Sequence, residues 1–165
     1  MTTARDIARD HACSDKAGLR AFLARNPFPN AATLGFFYRE KMRAIHEVTP
    51  RAPLKRILDV GGGQSGLTAL LYPDAYVTIL DVDPGYGRSS CNQWPGVEYV
   101  CGDAVAMPFD DDTFDAVMLF DVLEHVREDA RLVAEVQRVL KTDGIIVVST
   151  PNENWRYPYY AFMHR

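Results

Sequence analysis

At 165 residues, with 47% hydrophobic and 24% charged side chains, the chain has the size and balance of one globular domain with a real core. A formal charge of −4 without any Lys/Arg cluster argues against a nucleic-acid partner, and no apolar run reaches the roughly 20 residues of a membrane span. Three scattered cysteines without CxxC spacing (Cys13, Cys91, Cys101) and an N-terminus lacking a signal peptide's apolar core make a reduced, cytoplasmic protein the expectation.

Residues 1–50 read as an N-terminal helical cap. Ser14-Asp15 starts a helix that "NPFPN" ends at Pro27 and Pro29, and Asn30 starts a second with Leu34, Tyr38, Met42, Ile45 and Val48 on one face. After a "TPRAP" linker the pattern changes, and residues 51–165 read as an α/β domain. "KRILDV" predicts a strand, "LTALLYP" a helix, "AYVTILDV" and "VEYVCGD" two more strands. "FDAVMLFDV" is a fourth strand, apolar enough to be buried on both faces. "HVREDARLVAEVQRVL" predicts a helix with Val126, Ala130, Val133, Val136 and Leu140 as its inner stripe and Gly144 near its C-terminal cap; "GIIVVST" is the fifth strand. Alternating strands and helices imply a doubly wound parallel sheet. One crossover is unusual: the fifteen residues "VDPGYGRSSCNQWPG", rich in Pro and Gly, predict a turn or two and loop instead of a helix.

In such sheets ligands bind outside the carboxyl ends of the strands. Here those ends carry Asp59 and the glycine loop "GGGQSG", then Asp81 with Asp83, Asp103, Asp121, and finally Ser149, Thr150 and Asn152. Turn chemistry accounts for any one aspartate, but not readily for a carboxylate at four consecutive strand ends. Gly61, Gly63 and Gly66 fit G-x-G-x-x-G, whose bare backbone admits a ligand, while a carboxylate ending strand two can accept from both ribose hydroxyls. That chemistry suits NAD and an adenosyl sulfonium alike.

Taken in order, "ILDVGGGQSG", "LDVDP", "CGDAVAMPF", "FDAVMLFDVLEHV" and "VLKTDGIIVVSTPN" resemble the class I S-adenosylmethionine-dependent methyltransferases. The similarity is to the small-molecule branch containing ubiquinone and menaquinone biosynthesis methyltransferases, over roughly residues 55–152. The resemblance implies a Rossmann-like core with S-adenosylmethionine as cofactor. It implies that Asp59, Gly61 and Gly63 line the methionyl end, that Asp81 holds the ribose and that Val82 packs on the adenine. Asp103 and the backbone of Ala104 would meet the adenine edge, and Asp121 would lie beside the sulfonium. The chain departs from the family at Ser65, where a third glycine is expected; Gly66 follows one position later.

His125, directly after strand four, is the candidate base for an acceptor that must lose a proton. The spacing of Asp121, Glu124 and His125 is also similar to a divalent-metal motif of ubiquinone-pathway O-methyltransferases, an alternative use of the same residues. The aromatic tail "NENWRYPYYAFMHR" either meets the acceptor or packs into the core, and the N-terminal helices are expected to form a lid. The family's sheet has two further strands as a hairpin beside strand five. The expectation is therefore a chain truncated from a longer enzyme, or an oligomer that covers the strand-five edge. The function expected is methyl transfer to an O or N atom of a small-molecule acceptor. An NAD-dependent oxidoreductase and a non-catalytic methyltransferase-like binding module are the alternatives.

Overall fold

The computed structural model describes Lys41, Ala44, Ile45, Val48 and residues 53–151. The first predicted helix, most of the "TPRAP" linker and the aromatic tail lie outside the described residues. Of the second helix, the four described residues are helical; Ile45 is buried, whereas Val48, assigned to the same face, is exposed.

Five strands form one parallel sheet: β1 (Arg56–Val60), β2 (Tyr76–Asp81), β3 (Val97–Cys101), β4 (Phe114–Phe120) and β5 (Leu140–Ser149). Their order is β3-β2-β1-β4-β5, so the chain reverses direction of travel across the sheet between β1 and β4. This is the crevice at which doubly wound sheets bind ligands. Helix α1 (Leu67–Leu71) follows the glycine loop and α2 (Asp129–Val139) precedes β5.

Alternation along the strands divides the core. Ile57, Val77, Ile79, Ala116, Met118 and Val147 face Ile45, Leu67 and Leu71 on one side of the sheet. Leu58, Val60, Leu80, Val117 and Leu119 face Leu132, Val136 and Val139 on the other. Each such side chain contributes about 1.5–3 kcal/mol on full burial. β4 is buried on both faces as its composition requires.

Helix α2 corrects the sequence reading in two ways. It begins at Asp129, because residues 123–125 form a separate 3₁₀ turn, and its buried residues are Leu132, Val136 and Val139. Ala130 and Val133 are exposed. The i, i+4, i+7 spacing of the observed stripe is as helical as the predicted one; packing on β4 chose between them. Gly144 does not cap the helix either. β5 begins at Leu140, directly after α2, and Lys141 to Gly144 bulge out between the Phe114–Leu140 and Ala116–Ile145 pairs. A Cβ on Gly144 would lie 2.6 Å from Leu140 side-chain atoms, so the bulge needs glycine for close approach. β5 ends the described sheet, with Ile146 and Val148 about half exposed. The crossover between β2 and β3 holds two short 3₁₀ turns, Tyr86–Arg88 and Ser90–Gln93, as predicted. Among the described residues no helix is long and apolar enough to cross a membrane.

Candidate active site

Strand register brings the acidic strand ends to one edge. Val60 pairs with Leu80 and Leu119, Asp81 with Cys101, and Phe120 with Ser149, so the residues that follow each strand emerge side by side. They line a cleft of about 410 Å³, within the range of small-molecule sites. Gly61, Asp81, Val82, Asp103, Ala104, Asp121 and His125, all singled out in the sequence, border it. Leu80, Gly102, Val105, Val122, Val126, Arg127 and Glu128 complete the wall.

Two glycines explain the opening of the loop. Gly61 has φ 65°, and a Cβ there would stand 2.5 Å from Val122 Cγ2; its N–H donates to the Leu80 carbonyl at 2.7 Å. Gly66, with φ 63°, is the N-cap of α1 and packs against Cys91, where a Cβ would lie 2.9 Å from the Cys91 Cβ. The displaced third glycine thus serves the turn into α1. Ser65 accommodates the shift through its hydroxyl, which donates to the Gly62 carbonyl at 3.2 Å.

Asp81 is fixed from two directions. Its Oδ2 accepts the Gly63 N–H at 3.0 Å and its Oδ1 accepts the Asp83 N–H at 3.1 Å. Two of about four carboxylate acceptor sites are thereby used, leaving capacity for a ligand's hydroxyl pair. The Tyr99 hydroxyl donates to the Asp83 carbonyl. Burial, with the charge of Asp81 next, pushes its pKa up to about 12, so it acts as a neutral donor. Asp103 folds its own loop: its Oδ1 accepts the Val105 N–H at 3.0 Å. That loop is held to α2 by Arg138, which donates to the Met107 and Phe109 carbonyls while pairing with Glu135 and Asp111.

Asp121 sits in the left-handed region at φ 57°, a conformation that costs a non-glycine residue of order 1–3 kcal/mol. The surroundings hold it there. Its N–H donates to the Ser149 carbonyl at 2.8 Å, its Oδ1 accepts the Ser149 hydroxyl at 3.0 Å, and Lys41 Nζ contacts Oδ2 at 2.6 Å. Strain retained at a strand end beside a cleft is characteristic of functional positions.

Asp59 and Gly63 are not among the cleft's lining residues. Asp59 is 2% exposed and lies beneath the loop, where a Cβ on Gly62 would come within 2.8 Å of its carboxyl. Burial pushes its pKa up to about 7, against smaller opposing pulls from the Thr68 hydroxyl and the Lys41 ammonium. Thr68 Oγ1 is close enough to ease the charge, but it and Asp59 Oδ1 both lack a partner at full hydrogen-bond geometry. His125 closes the 3₁₀ turn at the cleft border, exposed, with its backbone N–H on the Val122 carbonyl at 2.9 Å. Glu124 accepts from the Thr150 hydroxyl at 3.4 Å. Among the described residues no three His, Cys, Asp or Glu side chains gather as a metal centre requires, Asp121, Glu124 and His125 included.

Residues 58–148, more than half of the chain, match the family described as a methyltransferase domain. The chain belongs to that family. It is 33% identical over 113 residues to demethylmenaquinone methyltransferase of Renibacterium salmoninarum, a match covering 67% of this chain and 47% of that protein. It is 37% identical over 123 residues to phthiotriol/phenolphthiotriol dimycocerosates methyltransferase of Mycobacterium leprae, covering 70% and 43% respectively. The chain therefore spans less than half the length of these curated relatives. A solved structure of a candidate S-adenosyl-L-methionine-dependent methyltransferase from Methanococcus maripaludis aligns with a TM-score of 0.64 at 20% identity, covering 90% of this chain and 70% of that one. The [4+2]-cyclase SpnF aligns at 0.62 and 22% identity, covering 87% and 59%. At those identities the likeness is one of fold, and it confirms the Rossmann-like sheet.

Sequence reasoning missed two residues around the cleft: Lys41, which precedes the matched span, and Asn92, which lies within it. Lys41 lies 80 positions before Asp121, and nothing local to either residue signals their pairing. Asn92 is 3% exposed and donates from Nδ2 to the carbonyls of Gly63 at 2.7 Å and Tyr86 at 2.9 Å. Its only sequence signal was the unusual crossover that carries it.

Proposed function

We propose that the chain binds S-adenosylmethionine in the cleft at the carboxyl edge and contributes to methyl transfer to an O or N atom of a small-molecule acceptor. The observation that carries this reading is Asp81: a carboxylate at the end of β2, fixed against the glycine loop, bordering the cleft with acceptor capacity to spare. Membership of the methyltransferase-domain family supports the choice of cofactor over NAD. The lining fits a cationic ligand, because Asp81, Asp103 and Glu128, with Asp121 already paired to Lys41, outnumber Arg127 among its charged residues.

In this reading the cofactor supplies a methyl group on a positively charged sulfur, already activated for in-line displacement. Asp81 accepts from the two ribose hydroxyls, Val82, 69% exposed, offers its side chain to the adenine, and Asp103 with the Ala104 backbone meets the adenine edge. Gly61 gives the methionyl end its approach to the main chain, with Gly63 and buried Asp59 supporting the loop from behind. Asp121, its charge paired with Lys41, closes the floor beside the sulfonium. Bound there, the cofactor would supply its methyl carbon to the acceptor's O or N atom, and the cleft residues would hold the two partners in line. His125, at the border, takes the acceptor's proton. The relatives are named for demethylmenaquinone and for phthiotriol/phenolphthiotriol dimycocerosates, which is consistent with a small-molecule acceptor.

Calorimetric titration with S-adenosylmethionine and with NADH, on the wild-type chain and on Asp81→Ala and Asp81→Asn, tests the reading. Micromolar binding of the sulfonium ligand alone is expected, weakened at least tenfold by Asp81→Ala and less by Asp81→Asn, which keeps one acceptor oxygen. Binding of NADH instead, or of neither ligand by a folded chain, overturns it.

A further inference from the structure

The crossover between β2 and β3 has no place yet in the chemistry. It forgoes a helix, yet buries Asn92 and Cys91 almost completely. Both Nδ2 hydrogens of Asn92 are used, one on Gly63 of the glycine loop and one on Tyr86 of the crossover itself. The amide can face only one way, because the flipped orientation would set Oδ1 against two carbonyl oxygens. Gly63 is consequently held at both ends of its own residue: its carbonyl by Asn92, its N–H by Asp81. Cys91, one position earlier, packs on Gly66 at the far end of the loop.

The buried polar atoms without partners point to the same region. Among the described residues they are Asp59 Oδ1, Thr68 Oγ1 and Asn92 Oδ1. Asp59 lies two positions before Gly61, Thr68 two after Gly66, and Asn92 is bonded to Gly63.

Resting on the cofactor reading above, we propose that Asn92 is a positioning residue: acting through Gly63, it aims the Asp81 carboxylate at the paired hydroxyls of the ribose. Asn92 does not border the cleft, so its effect on the ligand passes through the loop. Its removal frees the Gly63–Gln64 peptide, and because glycine's φ and ψ are permissive the change passes through Gly63 to the N–H that fixes Asp81 Oδ2.

The test uses the full chain and two ligands, S-adenosylmethionine and its 2′-deoxy analogue, which removes one of the hydroxyls that Asp81 would take. Asn92→Leu deletes both donors while keeping the branching of the side chain, and Asn92→Ser is made in parallel in case the bulkier leucine is not accommodated; thermal unfolding reports that each is folded. The expected result is about tenfold weaker binding of S-adenosylmethionine by the variants, with affinity for the deoxy analogue changed less than about twofold. Equal losses for both ligands mean general damage to the site and overturn the proposal, as does unchanged binding of both. If the wild-type chain binds neither ligand, the cofactor reading fails and the proposal with it; if the wild type binds and discriminates while the variants do so equally well, the proposal alone fails.

Discussion

Replacing Asp59 by asparagine should change how stability depends on pH more than it changes the shape of the core. Burial raises the carboxyl from its ordinary 3.8 to about 7. Between those values the folded chain holds a proton that the unfolded chain has released, so Asp59 makes stability fall as pH rises from about 4 to about 7, and level off above. At 1.36 kcal/mol per pH unit the whole span is worth about 4 kcal/mol, of which about 3 lies between pH 5 and pH 8. Asparagine has nearly the same shape and no titration. Urea unfolding of both proteins at pH 5, 6, 7 and 8 provides the comparison, since every other titrating group is common to both and cancels in the difference. The expected outcome is that Asp59→Asn gains on the wild type by about 3 kcal/mol between pH 5 and pH 8, whatever its offset at pH 5. Parallel curves would refute the argument, because they would mean that Asp59 ionises in the folded chain at its ordinary pH.

Two further experiments address features that the sequence did not reveal. Leu132→Ala should cost about 3 kcal/mol through lost burial and a cavity, while Val133→Ala, on the exposed side of α2, should stay within about 0.5 kcal/mol in the same denaturation assay. A double-mutant cycle of Lys41→Met and Asp121→Asn should return a coupling of about 1 kcal/mol, shrinking in 1 M salt because the Asp121 side chain is 38% exposed. A coupling of zero would show that Lys41 and Asp121 do not pair in solution.

The sequence by itself determined the strands, their parallel arrangement and the edge at which the cleft opens. Those features follow from local signals: strand-length apolar runs such as "FDAVMLF", glycines where backbone must turn or be approached, and acids where strands end. Asp81, Asp103, Asp121 and His125 were legible because each sits within a few positions of a strand end, and parallel register delivers strand ends to a common edge. Only the tertiary structure decided which helical stripe of α2 is buried, since Val133 and Leu132 are equally apolar and the choice depends on contact with β4. It also decided that Gly144 serves a bulge instead of a cap, because that depends on where α2 stops against the sheet. The same holds for the partners of the site residues. Lys41 reaches Asp121 across 80 positions, and Asn92 grips Gly63 across 29, through pairings that no periodicity encodes. Asp59 makes the division plain. The sequence placed it at the end of β1, but only the tertiary packing around its carboxyl removed it from water and thereby changed its acidity.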